Sequence, residues 1–310
     1  MDLENLFNEK NISESSKNLY IKNLTRLNDG GQIKNVNFLK DEKIIEEKLS
    51  KYKPNTRRSY IIACVSLLST LAKQSQKKYQ KLYNTYYKIM EEMNNNLKTN
   101  NEKSEKEKEN WISQDEVMNR LEELKKIIPT LGKKLNEEQF SKLQQLLLLA
   151  LYSLQKPRRN KDYQFMLIYK KAPHVDDEEK HNSKQNILDL KNNKFIFTNF
   201  KTQKTYKKQQ ININPELRDI IDTYLKYHPT FKKSKEPVSL IVNFKGQPYL
   251  NNNDMTRLLY KIFDKKIGST MLRHIFLTFK YKDALSEMQE DATEMGTSTD
   301  MVTTQYVKHD

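Results

Sequence analysis

An arginine and a tyrosine in the C-terminal part of the chain have the side-chain types that phosphate chemistry requires. Arg273 lies in Leu-Arg-His at 272–274, and Tyr306 follows Thr-Thr-Gln at 303–305. A planar guanidinium can hold two oxygens of one phosphate, and a phenol can attack the phosphorus atom. The pair therefore predicts a site that binds and breaks a phosphate ester, provided that the rest of the chain supplies the remaining groups.

Phosphodiester transfer without a metal needs cations on the non-bridging oxygens, an in-line nucleophile, an acid for the leaving oxygen and further hydrogen-bond donors. One basic turn contains Arg159 and, three residues later, Asp162, a spacing that places both on one side of a helix. A second basic turn contains Lys201 and Lys204, either of which can deliver a proton. Taken singly, each turn is better explained as solvated surface charge.

The net charge of the chain favours a polyanionic partner. The 310 residues carry a formal charge of +15, and such an excess attracts nucleic acid. An AT-rich genome also enriches lysine and asparagine whatever the function, so the charge by itself is weak evidence. A chain of this length is long enough for two domains with substantial cores.

Composition excludes several classes of protein. The single cysteine, Cys64, excludes an internal disulfide and a multi-cysteine zinc site, and its apolar neighbours favour a buried structural thiol. No glycine-rich phosphate loop is present. No apolar segment is long enough to span a membrane, and the acidic start Met1-Asp-Leu-Glu is unlike a signal peptide. We therefore expect a soluble intracellular protein without a bound metal.

Helices are predicted for the first part of the chain, which we expect to form a helical domain over residues 1–98. Apolar residues recur at helical spacing after Ser13 and after Pro54. Residues 99–110 contain no apolar side chain, which is typical of a solvated linker. Ser113 and Glu116 then have the spacing of a capping box that starts a new helix. A second domain is therefore predicted over residues 111–310.

The second part of the chain combines helices with a small antiparallel sheet. Asn192-Asn193 is a hairpin signal between two short runs of strand character, and an alternating segment beyond them predicts a third strand. The runs with strand character lie at 164–169, 187–190, 195–200, 209–213 and 238–244. The expected fold class is therefore mainly α with a small antiparallel β-sheet.

The order of these motifs along the chain resembles that of the tyrosine recombinases, the phage-integrase family. The motifs are an arginine, a hairpin lysine, Leu-Arg-His, a glycine and Thr-Thr-x-Tyr. The resemblance extends over essentially the whole chain. Residues 1–98 look like the core-binding domain of that family, and residues 111–310 look like its catalytic domain. The form Pro-x-Arg-x-x-Asp-Tyr at 157–163 is closest in style to recombinases of large DNA viruses, virophages and eukaryotic mobile elements.

The resemblance implies a catalytic role for each matched residue. Arg159 and Arg273 correspond to the two arginines that hold the scissile phosphate. Lys201, with Lys204 as the alternative, corresponds to the lysine that protonates the leaving 5′-oxygen. Tyr306 corresponds to the nucleophile. The reaction needs no metal or other cofactor, because a 3′-phosphotyrosyl link conserves the bond energy.

Two positions depart from the family pattern. Thr270 stands where the family usually has histidine, and Thr297 stands where it usually has histidine or tryptophan. Threonine can donate a hydrogen bond to phosphate but is no base near neutral pH, and loss of one such donor costs roughly a hundredfold in rate. We therefore treat Asp162, Thr270, Thr297 and His274 as accessory residues, and expect His274 to be mainly structural.

The leading hypothesis is a site-specific recombinase or integrase that cuts and rejoins duplex DNA through a 3′-phosphotyrosyl intermediate. The resemblance implies a C-shaped clamp on double-stranded DNA, a homo-tetramer on two DNA sites, and action in the nucleus or a viral factory for a eukaryotic host. Two alternatives stay open. One is a DNA-binding protein on the same scaffold that cuts weakly or not at all. The other is an enzyme similar to type IB topoisomerases, which relaxes DNA without exchanging strands.

Overall fold

Two compact units make up the protein, Met1–Glu102 and Lys103–Asp310. The computed structural model describes residues 1–98, 102–170, 185–251 and 253–308. Each unit has its own hydrophobic core. Among the described helices, none is both long and apolar enough to cross a lipid bilayer.

The first unit consists of helices packed around a core of leucine, isoleucine and tyrosine side chains. Pro54 opens its central helix, because proline at the first helical position loses no intrahelical hydrogen bond. Cys64 is buried in that helix, and burial raises the pKa of its thiol. The helices are α1 (Leu3–Asn8), α2 (Glu14–Leu27), α3 (Glu42–Ser50), α4 (Pro54–Gln74) and α5 (Gln76–Lys98).

The charged segment predicted as a linker contains a short helix of the second unit. This helix, α6 (Glu105–Asn110), begins at a capping box between Ser104 and Glu107. Asn110 is buried at its end, and the Asn110 side-chain oxygen accepts a hydrogen bond from the backbone N–H of Lys266. Capping and one buried amide are therefore enough to order a short helix that has no apolar side chain.

Two helices of the second unit begin at the residues that the sequence marks as helix starts. Ser113 and Glu116 form a capping box before the first, and Asn136 and Gln139 form one before the second. The second of these helices is leucine-rich and lies at the centre of the core. The helices are α7 (Gln114–Lys125), α8 (Glu137–Ser153), α9 (Asn160–Gln164), α10 (Gln203–Tyr206), α11 (Pro215–Tyr227), α12 (Asp254–Phe263), α13 (Ser269–Glu294) and α14 (Thr299–Met301).

The sheet of the second unit contains β1 (Leu167–Tyr169), β2 (Ile187–Asp189), β3 (Lys194–Phe197), β4 (Gln209–Asn212) and β5 (Val238–Ser239). Their order is β4-β3-β2-β1-β5. β2 and β3 form the predicted hairpin, with Asn193 at a φ of 52° in its turn, and β4 pairs with β3 as predicted. The sheet is mixed rather than antiparallel, since β1 and β2 are parallel. The long connection between these two strands permits the crossover that a parallel pair requires.

A buried asparagine joins the sheet to α9. The Asn186 side-chain nitrogen donates to the carbonyl oxygens of Asp162 and Asn199, both at 2.9 Å. The Asn186 side-chain oxygen accepts from the backbone N–H groups of Thr198 and Asn199, at 3.0 and 2.9 Å. Because all four bonds use backbone groups, this one amide fixes the end of β3 relative to α9.

Replacement of Asn186 with alanine should destabilise the second unit by about 3 kcal/mol or more, because each buried backbone group left unsatisfied costs about 1–3 kcal/mol. Urea unfolding followed by the fluorescence of Trp111, the single tryptophan, measures this unit. Asn119→Ala on the exposed face of α7 is the control and should cost less than about 1 kcal/mol. An unfolding midpoint for Asn186→Ala equal to that of the wild type would contradict the assigned role.

Candidate functional site

A cleft of about 180 Å³ lies in the second unit where three segments meet. The turn before α9 supplies two neighbouring arginines, the connection between β3 and β4 supplies a threonine and a tyrosine, and the second turn of α13 supplies a third arginine. Arg159 and Arg273, two of the predicted catalytic residues, thus share one cleft. The lining residues are Pro157, Arg158, Arg159, Asp162, Phe200, Thr202, Tyr206, Gln209 and Arg273.

Arg158, rather than Arg159, forms the ion pair with Asp162. Arg158 Nε donates to Asp162 Oδ2 at 2.8 Å, and Arg158 Nη1 donates to Gln209 Oε1 at 2.8 Å. The Arg158 guanidinium also lies over the Phe197 ring, 3.8 Å from its centroid. The Arg158 and Asp162 side chains are 14% and 4% exposed. Contacts from β3 and β4 therefore select the arginine at four-residue spacing as the partner of Asp162, although the three-residue spacing of Arg159 also puts that residue on the same side of a helix.

The Asp162 carboxyl is a buried acid held beside two arginines. Burial raises its pKa, and the charges of Arg158 and then Arg159 oppose this shift. Asp162 Oδ1 is buried without a hydrogen-bond partner among the described residues. Because the pKa of Asp162 is higher in the folded protein than in the unfolded chain, the folded protein favours the protonated carboxyl. The stability gained from this proton is therefore present at low pH and is lost as the pH rises through the raised pKa. Asp162 is therefore a positioning group for Arg158 rather than a contact for an anion.

Arg159 and Arg273 keep their guanidinium groups free. Both side chains are partly buried in the cleft wall, and no hydrogen bond or ion pair joins either guanidinium to the described residues. Burial lowers the pKa of Arg273, and the charge of Arg159 lowers it further. A bound anion would relieve this repulsion, and phosphate matches the planar fork of each guanidinium.

The connection between β3 and β4 contributes Thr202 and Tyr206 to the cleft, and not the two predicted lysines. Lys201 and Lys204 are exposed and lie outside the lining. Tyr206, the last residue of α10, is 62% exposed. The sequence prediction missed Tyr206, because the motif directed attention to lysine. The available signal was a lone aromatic residue among lysines.

The predicted accessory residues Thr270, His274 and Thr297 lie outside the cleft lining. Thr270 is exposed in the first turn of α13. His274 Nδ1 is 2.9 Å from Glu107 Oε1, a contact that agrees with the structural role expected of this histidine. Thr297 follows the far end of α13, where its backbone N–H donates to the carbonyl of Ala292. None of the three therefore supplies a donor to the cleft.

Tyr306 is separated from the cleft by the length of α13. At a rise of about 1.5 Å per residue, this helix carries the chain about 30 Å from Arg273 to Glu294. Gly296, with φ +65°, then turns the chain into α14 and one π-helical turn, Val302–Tyr306. The Tyr306 side chain is 56% exposed and does not line the cleft. The structure therefore brings together the two arginines but not the predicted nucleophile.

Other candidate sites are chemically weaker. A larger groove of about 480 Å³ in the second unit is lined by Thr230, Lys233 and Ser234 together with apolar residues, and it lacks a cluster of cations. In the part of the chain that the structure describes, no three histidine, cysteine, aspartate or glutamate side chains are grouped to hold a metal. The arginine cleft is therefore the best candidate.

No family model, curated protein or solved structure matches the chain. The resemblance to tyrosine recombinases thus stays an expectation that rests on its own motifs. Function has to be inferred from the cleft, the charge and those motifs.

Removal of the Asp162 carboxylate by Asp162→Ala should destabilise the second unit by about 3 kcal/mol, because the buried Arg158 guanidinium loses its counter-ion. Asp222→Ala is the matched control. It removes the acid of the Arg218–Asp222 pair, which has the same spacing but a more exposed position on α11, where such a pair contributes less than about 1 kcal/mol. Urea unfolding measures both, and equal costs would contradict the burial argument.

Proposed function

We propose that the protein binds duplex DNA and breaks and rejoins its strands through a covalent tyrosyl intermediate, as a site-specific recombinase or integrase. The observation that carries this proposal is the pair of guanidiniums, Arg159 and Arg273, left free among the described residues in one cleft. A phosphodiester offers two non-bridging oxygens and one negative charge to such a pair. The net charge of +15 supports nucleic acid as the source of that phosphate.

In the proposed reaction, the two free arginines hold the non-bridging oxygens of the scissile phosphate. Their charges stabilise the negative charge on these oxygens in the transition state. Because Arg159 and Arg273 are unpaired before DNA binds, no ion pair has to be broken first. The Arg158–Asp162 pair fixes the turn from which Arg159 projects.

The covalent step transfers a phosphoryl group from a DNA oxygen to tyrosine. The Tyr306 oxygen bonds to phosphorus and releases its proton to water, while the bond between phosphorus and O5′ breaks. Lys201 gives a proton to the leaving O5′, which becomes a free 5′-hydroxyl beside a 3′-phosphotyrosyl link. The reverse step rejoins the strand. This mechanism requires the segment after α13 to bring Tyr306 to a cleft, either its own or that of another protomer. It also requires the connection between β3 and β4 to bring Lys201, which lies outside the lining, to the leaving oxygen.

A second candidate function is DNA binding without cleavage. The position of Tyr306 favours it, because an exposed tyrosine beyond the far end of α13 contributes nothing to the cleft. Thr270 and Thr297 also lie outside the lining, so neither replaces the expected histidine or tryptophan donor. On this alternative, Arg159 and Arg273 bind the DNA backbone and no covalent adduct forms.

The proposal extends to a homo-tetramer that exchanges strands between two DNA sites. An enzyme similar to type IB topoisomerases would use the same cleft chemistry on one site. Incubation with a supercoiled plasmid carrying two copies of a target site separates these functions. Recombinant products support strand exchange, and relaxed plasmid without recombinants supports the topoisomerase alternative.

Arg159→Ala and Arg273→Ala should each weaken duplex binding about tenfold and reduce the slope of log affinity against log salt by about 1, because each removes one phosphate contact. Fluorescence anisotropy across a salt series measures both quantities. Arg257→Ala is the matched control, since it removes the same charge from an exposed position on α12 outside the cleft. If Arg257→Ala weakened binding as much as the cleft variants, the cleft would not be the phosphate site.

The wild-type protein should form a denaturant-resistant adduct with a nicked duplex, and Tyr306→Phe should form none, because phenylalanine has no oxygen to attack phosphorus. Tyr281→Phe, which alters an exposed tyrosine on α13, should form the adduct at the wild-type rate. An undiminished adduct with Tyr306→Phe would remove Tyr306 as nucleophile. Salt-dependent binding with no wild-type adduct would support the non-cutting alternative.

A further inference from the structure

Tyr206 lines the arginine cleft, although no motif in the sequence points to it. Its side chain is largely exposed, and among the described residues its hydroxyl has no hydrogen-bond partner. The cleft lining therefore includes a residue that carries a free neutral donor, together with the two free cations of Arg159 and Arg273. An exposed aromatic ring gains little from apolar burial, so packing alone does not explain the place of Tyr206 in the lining.

The backbone around Tyr206 has a constrained shape. α10 is a single turn closed by hydrogen bonds from Tyr206 N–H to the Thr202 carbonyl at 3.1 Å and from Lys207 N–H to the Gln203 carbonyl at 2.8 Å. Lys207 then has φ 56° and ψ −160°, a region occupied almost entirely by glycine. Such strain persists where the surrounding structure imposes it, and it concentrates at functional sites. The strained residue reverses the chain into β4 while Tyr206 stays at the cleft.

The wall of the cleft beside Tyr206 is ordered by the buried arginine. Phe200 lines the cleft, and its ring centroid is 5.0 Å from the guanidinium carbon of Arg158. Gln209 accepts a hydrogen bond from Arg158, which fixes the orientation of its amide. The neutral side-chain groups in this lining that are available to donate to an anion are therefore the hydroxyls of Tyr206 and Thr202 and the amide nitrogen of Gln209.

We propose that the Tyr206 hydroxyl donates a hydrogen bond to a non-bridging oxygen of the phosphate held by Arg159 and Arg273. Where that phosphate belongs to DNA, the assignment rests on the proposed function. A hydroxyl bonded to an anionic oxygen makes a short, charge-assisted contact, and it restricts the phosphate without adding a third cation. Tyr206 thus supplies the neutral donor that Thr270 and Thr297 do not bring to the cleft.

Binding of inorganic phosphate tests this contact without DNA. Tyr206→Phe keeps the ring and removes the hydroxyl, so its affinity for phosphate in a calorimetric titration should fall about tenfold, the usual effect of losing a hydrogen bond to a charged group. Tyr281→Phe is the matched control and should bind phosphate as the wild type does. Unfolding by urea should give the same midpoint for all three proteins, because the Tyr206 hydroxyl has no partner within the described structure.

Two measurements on DNA extend the test to the proposed reaction. The adduct with a nicked duplex should form about tenfold more slowly with Tyr206→Phe, while the salt dependence of binding stays unchanged, since the hydroxyl is neutral. A phosphorothioate at the scissile position should slow the wild type more than Tyr206→Phe. Sulfur accepts hydrogen bonds more weakly than oxygen, and this weakness affects the rate only where the Tyr206 hydroxyl is present to donate. A merely structural role for Tyr206 would give equal sulfur effects in both proteins.

The outcomes separate this proposal from the proposed function. Equal phosphate affinity in Tyr206→Phe and wild type, a wild type that binds no phosphate, or an adduct mapped by mass spectrometry to Tyr206 itself would each overturn the donor assignment. A tenfold difference in phosphate affinity without any DNA adduct would support the Tyr206 contact and count against DNA cleavage.

Discussion

The buried ion pair between Arg158 and Asp162 is the interaction on which the geometry of the cleft depends. Two charges removed from water are tolerated only when neighbouring groups satisfy them, and Gln209 and the Phe197 ring complete the surroundings of this guanidinium. The pair therefore joins the turn before α9 to β3 and β4, which lie far along the chain. The Asn186 amide fixes the same junction through backbone groups. The Arg159 side chain, which projects from this turn, is therefore attached to a rigid backbone.

Two adjacent arginines with the same charge have opposite environments at this junction. Arg158 is neutralised by Asp162, whereas Arg159 and Arg273 line the cleft without a direct ion pair among the described residues. A site selected for stability alone would pair these cations or expose them to water. Here both are partly buried, and burial together with the charge of Arg159 lowers the pKa of Arg273. An anion that enters the cleft removes that repulsion, so the electrostatic cost in the free protein becomes a gain in the complex.

The sequence predicts those features that one short segment determines. Ser113 and Glu116 form the expected capping box, and the Asn192-Asn193 hairpin forms at the expected place, because each depends on neighbours a few residues away. The partner of Asp162 shows what local sequence does not determine. An arginine three or four residues before Asp162 can reach it, and contacts of Arg158 with Phe197 and Gln209, which are distant in the chain, select Arg158. Tyr206 lines the cleft next to the unusual backbone of Lys207, which no local sequence pattern predicts. The parallel β1–β2 pair likewise depends on a long connection rather than on a turn.

The length of α13 separates anion binding from any covalent step. A continuous helix of 26 residues does not let Arg273 and Tyr306 approach each other by side-chain motion. From Leu277 to Asp291 its residues are almost all exposed, so tertiary packing contributes little to the second half of the helix. A helix held mainly by its own hydrogen bonds is marginal in water and can bend or unwind at modest cost. On the proposed function, phosphate therefore binds in a preformed cleft, whereas attack by Tyr306 requires the rearrangement of a segment that binding does not need. Proline substitutions in the exposed half of α13, unlike the conservative Tyr281→Phe, should consequently alter the rate of adduct formation and leave phosphate affinity unchanged.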